Sequence, residues 1–228
     1  MALNRYELQK LKSLLDQTSK SLNIFALGYP DIITDCLTLC EIWEDNNLEQ
    51  LPLDSQQQDI QTWHGYSGEV PDAVEFFKYL GHKLTVIDKL SHRGIETLID
   101  LNETLPIQLY QQADLIIDTG TLEHCFNAGQ AFCNMCEMLA VDGMVMTMAP
   151  YSKLNHGYYN FCPLMYKDGF EQNGFEIIEL EAINRKYTPV EIPSATKQGM
   201  PPGTVLFCSA RKLQSQPWQW PVQGKYLL

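Results

Sequence analysis

The stretch Ala113-Asp114-Leu115-Ile116-Ile117-Asp118 constrains this chain more than any other feature of the sequence. A strand with one face in water alternates apolar and polar residues, whereas one that stays apolar is covered on both faces, as parallel strands are. Behind it, Ala128, Ala131, Phe132, Met135, Met138 and Leu139 recur at helical spacing, and Asp142-Gly143 turns the chain into a second apolar run, Met144 to Ala149. Strand, helix and strand in this order make a crossover unit, whose two strands lie parallel with the helix packed across them.

The same alternation extends outward. Met1 to Lys20 carries Leu8, Leu11, Leu14 and Leu15 at helical spacing, so residues 1–21 read as an N-terminal helix. Asn23 to Leu27 is a first strand, stopped by Gly28-Tyr29-Pro30-Asp31. Residues 36–64 have weak periodicity and read as an insertion with room for one helix. Ala73, Phe76, Phe77 and Leu80 form a helix with Pro71 in its first turn and Gly81 at its end. Lys83 to Asp88 and Ile95 to Asp100 follow as strands two and three. Phe175 to Leu180 and Thr204 to Ala210 are two late strands separated by a loop rich in proline and glycine, and residues 213–228 are a tail with two tryptophans and two prolines. The tail is expected to fold back on the domain or to meet a second copy in a homodimer. The fold class is therefore α/β, a doubly wound, mostly parallel sheet in one domain spanning 1–228, with an insertion after the first strand.

Charge narrows the partners. Sixteen basic residues against 28 acidic ones leave a formal charge of -12, a field that repels phosphate backbones and anionic lipid surfaces. The basic residues are scattered, so neither nucleic acid nor membrane is expected as a partner, and a small-molecule or glycan-type substrate fits better. No apolar window is long enough to span a bilayer, and the first twenty residues lack a secretory apolar stretch. Seven cysteines, an odd number, read as reduced thiols in a cytoplasmic protein. Cys133 and Cys136 lie inside the predicted helix with no second ligand pair, so they are read as core residues and no metal site is expected. There is no nucleophile elbow and no phosphate loop of the G-x-x-x-x-G-K-[ST] kind.

The block "ADLIIDTGTLEHCFNAGQAFCNMCEMLAVDGMVMTMAP", Ala113 to Pro150, resembles the fourth strand, following helix and fifth strand of class I S-adenosylmethionine-dependent methyltransferases, and "GFEQNGFEIIEL" resembles their late helix and sixth strand. With strands two and three the resemblance covers about 60–70% of the chain when elements are matched to the doubly wound pattern. The segments "LGYPD", "RGIETLIDLN", "DTGTLEHCFNAGQA" and "NHGYYNFCP" are similar to a bacterial group of methyltransferase-like proteins with a degenerate glycine loop, linked to surface-glycan and secondary-metabolite pathways.

The resemblance implies S-adenosylmethionine as cofactor and assigns residues to it. Asp88 matches the acidic residue that binds the ribose hydroxyls, for which a carboxylate with two acceptor oxygens is suited. Asp100 matches the position that reads the adenine amino group, with Leu101 as an apolar wall. Capping or turn roles for either Asp compete with these readings. The departure is the glycine loop: the family has a glycine-rich run after strand one, and this chain has only Gly28, followed by Tyr29. Gly65 and Gly68 are either the second half of a split loop or plain turn residues. Asp118, Gly120 and Glu123 follow strand four, the first two toward cofactor and the third toward substrate. Tyr158, Tyr159, Asn160 and Phe161 are expected to wall an acceptor pocket, with His156, ahead of His124 at the start of a helix, as the candidate base. The rival readings are a non-catalytic scaffold on the same fold and a dehydrogenase in which Asp88 would bind the ribose of NAD.

Overall fold

The structure, a computed structural model, describes residues 1–192 and 199–227. The chain packs as two compact units, Met1–Leu98 and Ile99–Leu228.

In the first unit, strand β1 (Ala2–Leu3) leads into helix α1 (Arg5–Leu15). The helix starts where Asn4 and Glu7 form a reciprocal capping box, so the expected helix over 1–21 is shorter at both ends. Strand β2 (Asn23–Leu27) is followed by β3 (Asp31–Ile32), which pairs with β1 in a small parallel sheet. Residues 36–64 contain two helices, α2 (Cys36–Trp43) and α3 (Gln57–His64), with a 3-10 turn between them at Asn46–Gln50. Leu39, Leu48 and Ile60 from this stretch are fully buried, so it contributes to the core. Each of its helices spans only about two turns, too short to set up a clear apolar period. Helix α4 (Ala73–Tyr79) is capped by the Asp72 side chain, which accepts the backbone N–H of Glu75, placing Pro71 just outside the first turn. Strands β4 (Lys83–Asp88) and β5 (Thr97–Leu98) complete a parallel sheet of order β5-β4-β2. The third strand is two residues long, not six. Both of its side chains are exposed, as suits a blunted edge strand.

In the second unit, β6 (Ala113–Thr119) pairs parallel with β7 (Leu139–Pro150), and helix α5 (Ala128–Met138) connects them. The fifth strand was expected to begin after Asp142-Gly143, but β7 starts at Leu139, immediately after the helix. Asp142-Gly143 lies within it as a bulge, with Asp142 at φ 66° and a register shift opposite Ala113. After helix α6 (Pro163–Glu171) come β8 (Phe175–Ile183), β9 (Pro189–Val190) and β10 (Val205–Lys212). Here the strand order is β6-β7-β10-β8-β9, and β10 runs antiparallel to both neighbours. Among the described residues no helix separates β8 from β10, as suits antiparallel rather than crossover-connected strands. Residues 193–198 of the intervening loop lie outside the described residues. Lys212 is buried and its Nζ donates to the carbonyls of Cys136 and Leu139, where helix α5 gives way to β7. The tail packs along the end of α6: Gln216 Nε2 donates to the Gln172 carbonyl, the Gln219 N–H donates to Asn173 Oδ1, and Trp218 packs near Phe132.

Candidate functional site

Two groups of polar side chains stand at strand ends, one in each unit. In the first unit, β2 ends at Gly28, whose N–H donates to the Ile87 carbonyl at 2.7 Å, and β4 ends at Asp88. A cavity of about 260 Å³ opens here, walled by Tyr29, Asp31, Trp63, His64, Asp88 and Arg93 among others. Asp88 uses Oδ1 to accept the N–H of Leu90 at 3.0 Å, so it shapes the turn after the strand while lining the cavity.

The floor of this cavity is a charge network that spans distant parts of the sequence. Arg93 reaches Asp31 with one terminal nitrogen and Asp54 with the other, and its guanidinium lies 3.9 Å over the Tyr29 ring. His64 Nε2 sits 2.8 Å from the second oxygen of Asp31. All three charged side chains are at least nine-tenths buried. Burial and the nearby carboxylates Asp72 and Asp54 raise the Tyr29 hydroxyl far above its ordinary range, so this phenol stays neutral. Tyr29, the residue after Gly28, thus presents a buried ring to the cavity. Gly65, at φ 69°, ends α3 as its left-handed cap, with open space where a side chain would stand. The helix terminus therefore accounts for this glycine. The atoms nearest to a Cβ on Gly68 would be those of the Tyr66 side chain in its own turn, at 2.7–2.8 Å. Neither contact speaks for the split-loop reading.

In the second unit, Asp100 accepts both the backbone and the side-chain N–H of Asn102, and Asn102 Oδ1 in turn accepts the N–H of Asn127 at the start of α5. Leu101 is buried, with its carbonyl bonded to Asn134 Nδ2. Asp118 has no solvent-exposed surface; its carboxyl accepts the Thr147 hydroxyl and the N–H of Thr121, both at 2.9 Å. It therefore acts by fixing the turn through Gly120 rather than by presenting its own oxygens. Burial and the neighbouring Glu123 push its carboxyl up to about 7, against the pull of those donors.

That turn carries Glu123 and His124. His124 ends a short 3-10 turn, Leu122–His124, and α5 begins only at Ala128, so the expectation that His124 starts a helix is corrected. Glu123 is 1% exposed, and its Oε2 is buried without a hydrogen-bond partner among the described residues. Its Oε1 lies 3.4 Å from His156 Nε2. The imidazoles of His124 and His156 are 5.3 Å apart, centroid to centroid. The aromatic loop is fastened to this turn: the Tyr158 N–H donates to the Glu123 carbonyl at 2.9 Å, and the Tyr159 hydroxyl donates to the Phe126 carbonyl at 2.8 Å. Gly157 lies so close that a Cβ there would stand 2.8 Å from the Glu123 carbonyl oxygen. Tyr158 is 66% exposed and meets the 72% exposed Phe126 edge to face. Phe161, by contrast, is buried in the core, and Asn160 closes its own loop by accepting the Lys153 N–H.

Cys133 and Cys136 are buried in α5, and burial raises the first thiol to about 12 and the second well above its ordinary value. Both are poor thiolate donors, as core residues should be. The residues that sequence reasoning missed are Arg93, Asp31, Asp54 and His64. Arg93 stands 62 residues from Asp31 and 39 from Asp54, so no local spacing marks the network. Its only trace was the presence of charges beside otherwise apolar turns.

No protein-family model and no curated protein sequence matches the chain. Solved structures do match. The Burkholderia thailandensis 1,6-didemethyltoxoflavin-N1-methyltransferase, with bound 1,6-didemethyltoxoflavin and S-adenosylhomocysteine, superposes with a TM-score of 0.53 at 12% identity, covering 92% of this chain and 79% of that one. TehB from Haemophilus influenzae gives 0.49 at 12% identity over 89% of this chain and 61% of that one. The N-methyltransferase NodS from Bradyrhizobium japonicum WM9, in complex with S-adenosylhomocysteine, gives 0.48 at 13% identity over 92% and 89%. The first of these establishes the architecture: the chain has the α/β fold of class I S-adenosylmethionine-dependent methyltransferases.

Proposed function

We propose that this chain transfers the methyl group of S-adenosylmethionine to an oxygen or nitrogen of a small-molecule or glycan-type acceptor. The observation that carries this reading is Asp88, a carboxylate at the end of a parallel strand, in a cavity whose other walls include aromatic rings. In doubly wound sheets ligands bind beyond the carboxyl ends of the strands. The matched Burkholderia enzyme, with its bound S-adenosylhomocysteine, supports the choice of cofactor on this fold.

The residues fit the nucleoside end of that cofactor. A cavity near 260 Å³ is slightly below the range of about 300–1,000 Å³ for whole small-molecule sites, which suits part of a ligand. A carboxylate can accept both hydroxyls of a vicinal diol, and the Trp63 ring offers an apolar face. When bound, the cofactor supplies an activated sulfonium methyl, so the protein's task is alignment more than acid-base chemistry. On this reading Asp88 orients the ribose. Asp118 holds the Gly120 turn in shape. Glu123, His124, His156, Tyr158 and Tyr159 meet the acceptor and ease removal of its proton.

One observation favours a non-catalytic scaffold instead: the loop after β2 is filled by Tyr29 and the Arg93 network rather than by glycine. Titration of S-adenosylhomocysteine into wild type and Asp88→Ala separates the two. Loss of the ribose contacts should weaken binding by at least about 10–100-fold, the equivalent of a single charge-assisted bond of about 1.5–3 kcal/mol. Equal affinity in the folded variant removes Asp88 from the site, and no binding to wild type favours the scaffold.

A further inference from the structure

We propose that Glu123, His124 and His156 bind a divalent transition cation of the Zn²⁺, Co²⁺ or Ni²⁺ type, with coordination positions left open to solvent. Each residue offers one ligand atom, and the three atoms lie within 4.8 Å of one another. Two donors on adjacent corners of a tetrahedron with bonds of about 2.1 Å stand about 3.4 Å apart. Glu123 Oε1 and His156 Nε2 are separated by that distance, 3.4 Å, which is too long for a good hydrogen bond. The third ligand closes by rotation of an exposed imidazole.

An independent observation points to a missing ligand. Glu123 is almost completely buried, yet its Oε2 has no hydrogen-bond partner among the described residues. Leaving a buried carboxylate oxygen unsatisfied is costly. The cost is compounded by Asp118, a second buried carboxyl close enough to feel the charge of Glu123. Among the described residues neither carboxylate has a lysine or arginine partner, and only the partly exposed His156 stands in ion-pair range of Glu123. A pocket of negative potential faced by two imidazoles is a cation site in its donor chemistry.

The ligands are also held without the ion. The Tyr158 N–H bonds the Glu123 carbonyl, and the absence of a side chain on Gly157 lets the loop bearing His156 lie directly on the turn bearing Glu123 and His124. Two nitrogen donors and one oxygen select borderline metals over the hard cations Mg²⁺ and Ca²⁺, which take oxygen. Three protein ligands leave at least one position for water or a substrate atom. An acceptor hydroxyl held there would lose its proton more easily. That use rests on the methyl-transfer reading, whereas the site itself does not. It would also change the work of the two histidines from base to ligand.

The test is direct binding on full-length, tag-free protein stripped with EDTA, by calorimetry with Zn²⁺ and by visible absorption with Co²⁺. One equivalent of Co²⁺ should bind, with ligand-field bands of a nitrogen-containing low-coordinate site, and Zn²⁺ should raise the melting temperature. His124→Ala and His156→Ala, both at exposed positions, should each weaken binding by at least about tenfold, since even outer-shell partners of metal ligands cost about 10–100-fold. Glu123→Gln should weaken it further. The proposal is overturned if neither ion binds, if both histidine variants bind as wild type does, or if Mg²⁺ binds as tightly as Zn²⁺. Titration of S-adenosylhomocysteine on the same samples keeps the two readings apart. Cation binding without cofactor binding sustains the site and removes methyl transfer, and the converse does the reverse.

Discussion

The two charged clusters of this molecule contrast in how they are balanced. Around Arg93, two buried carboxylates share one guanidinium, Asp31 gains a further contact from His64, and the Tyr29 ring covers the cation. Around Glu123, two buried carboxyls share hydroxyl and backbone donors and one exposed imidazole, and one oxygen is left over. The Arg93 cluster gives both carboxylates a counter-charge and is therefore structural, although Arg93 Nε is buried without a hydrogen-bond partner among the described residues; the Glu123 cluster differs in lacking such a counter-charge among them. A cluster left open on one side has affinity to spare for something outside the chain.

The contrast predicts opposite responses to neutralisation. Arg93→Ala leaves Asp31 and Asp54 buried without their cation and should destabilise the first unit by about 3–5 kcal/mol in urea unfolding. A loss below about 1 kcal/mol would mean that the carboxylates are hydrated and the network is not closed. Gly157→Ala forces a methyl against the Glu123 carbonyl and should cost about 1–3 kcal/mol, as overpacking does. It should also weaken any cation bound at the cluster. Unchanged stability and cation affinity would show that the loop is not seated on the turn.

Asp118 gives the pH test. Its folded carboxyl titrates near 7, raised first by burial and then by Glu123, with Tyr166 and Thr147 as its other polar neighbours. In the unfolded chain it titrates near 3.8. Between those values the folded state keeps a proton that the unfolded state has released. This contribution is therefore fully present below about pH 4 and falls away as pH rises to about 7. Asp118→Asn, which cannot ionise, should flatten that part of the stability profile in EDTA-treated protein. Superimposable profiles would remove the assignment. The smallest effect is expected from Glu123→Gln without metal, a gain of about 1 kcal/mol from removing an unpaired buried charge. A loss instead would mean that Glu123 is already satisfied.

How much of this was legible in sequence follows from the range of each interaction. Strands β2 and β4 and helix α5 were readable because their apolar periods are local and their ends carry caps or glycines. Strand β5 was read too long because Ile95 to Asp100 has the right residue types, but only Thr97 and Leu98 find strand partners. The antiparallel β10 depends on which neighbours a late strand finds, and no local pattern encodes that. Glu123, His124 and His156 were each marked by position, but their convergence depends on Gly157 letting two segments touch. Their convergence was therefore missed, whereas Phe161, expected with Asn160 to wall an acceptor pocket, is packed into the core. The Arg93 network was invisible for the same reason, its members being drawn from four separate segments.

The central claim is that this fold still holds a methyl donor although its glycine loop is filled. Calorimetric titration of the wild-type protein with S-adenosylhomocysteine, beside NAD under the same conditions, tests it most directly. The account predicts one site for S-adenosylhomocysteine and no measurable heat from NAD. Absence of S-adenosylhomocysteine binding, or tighter binding of NAD, would contradict it.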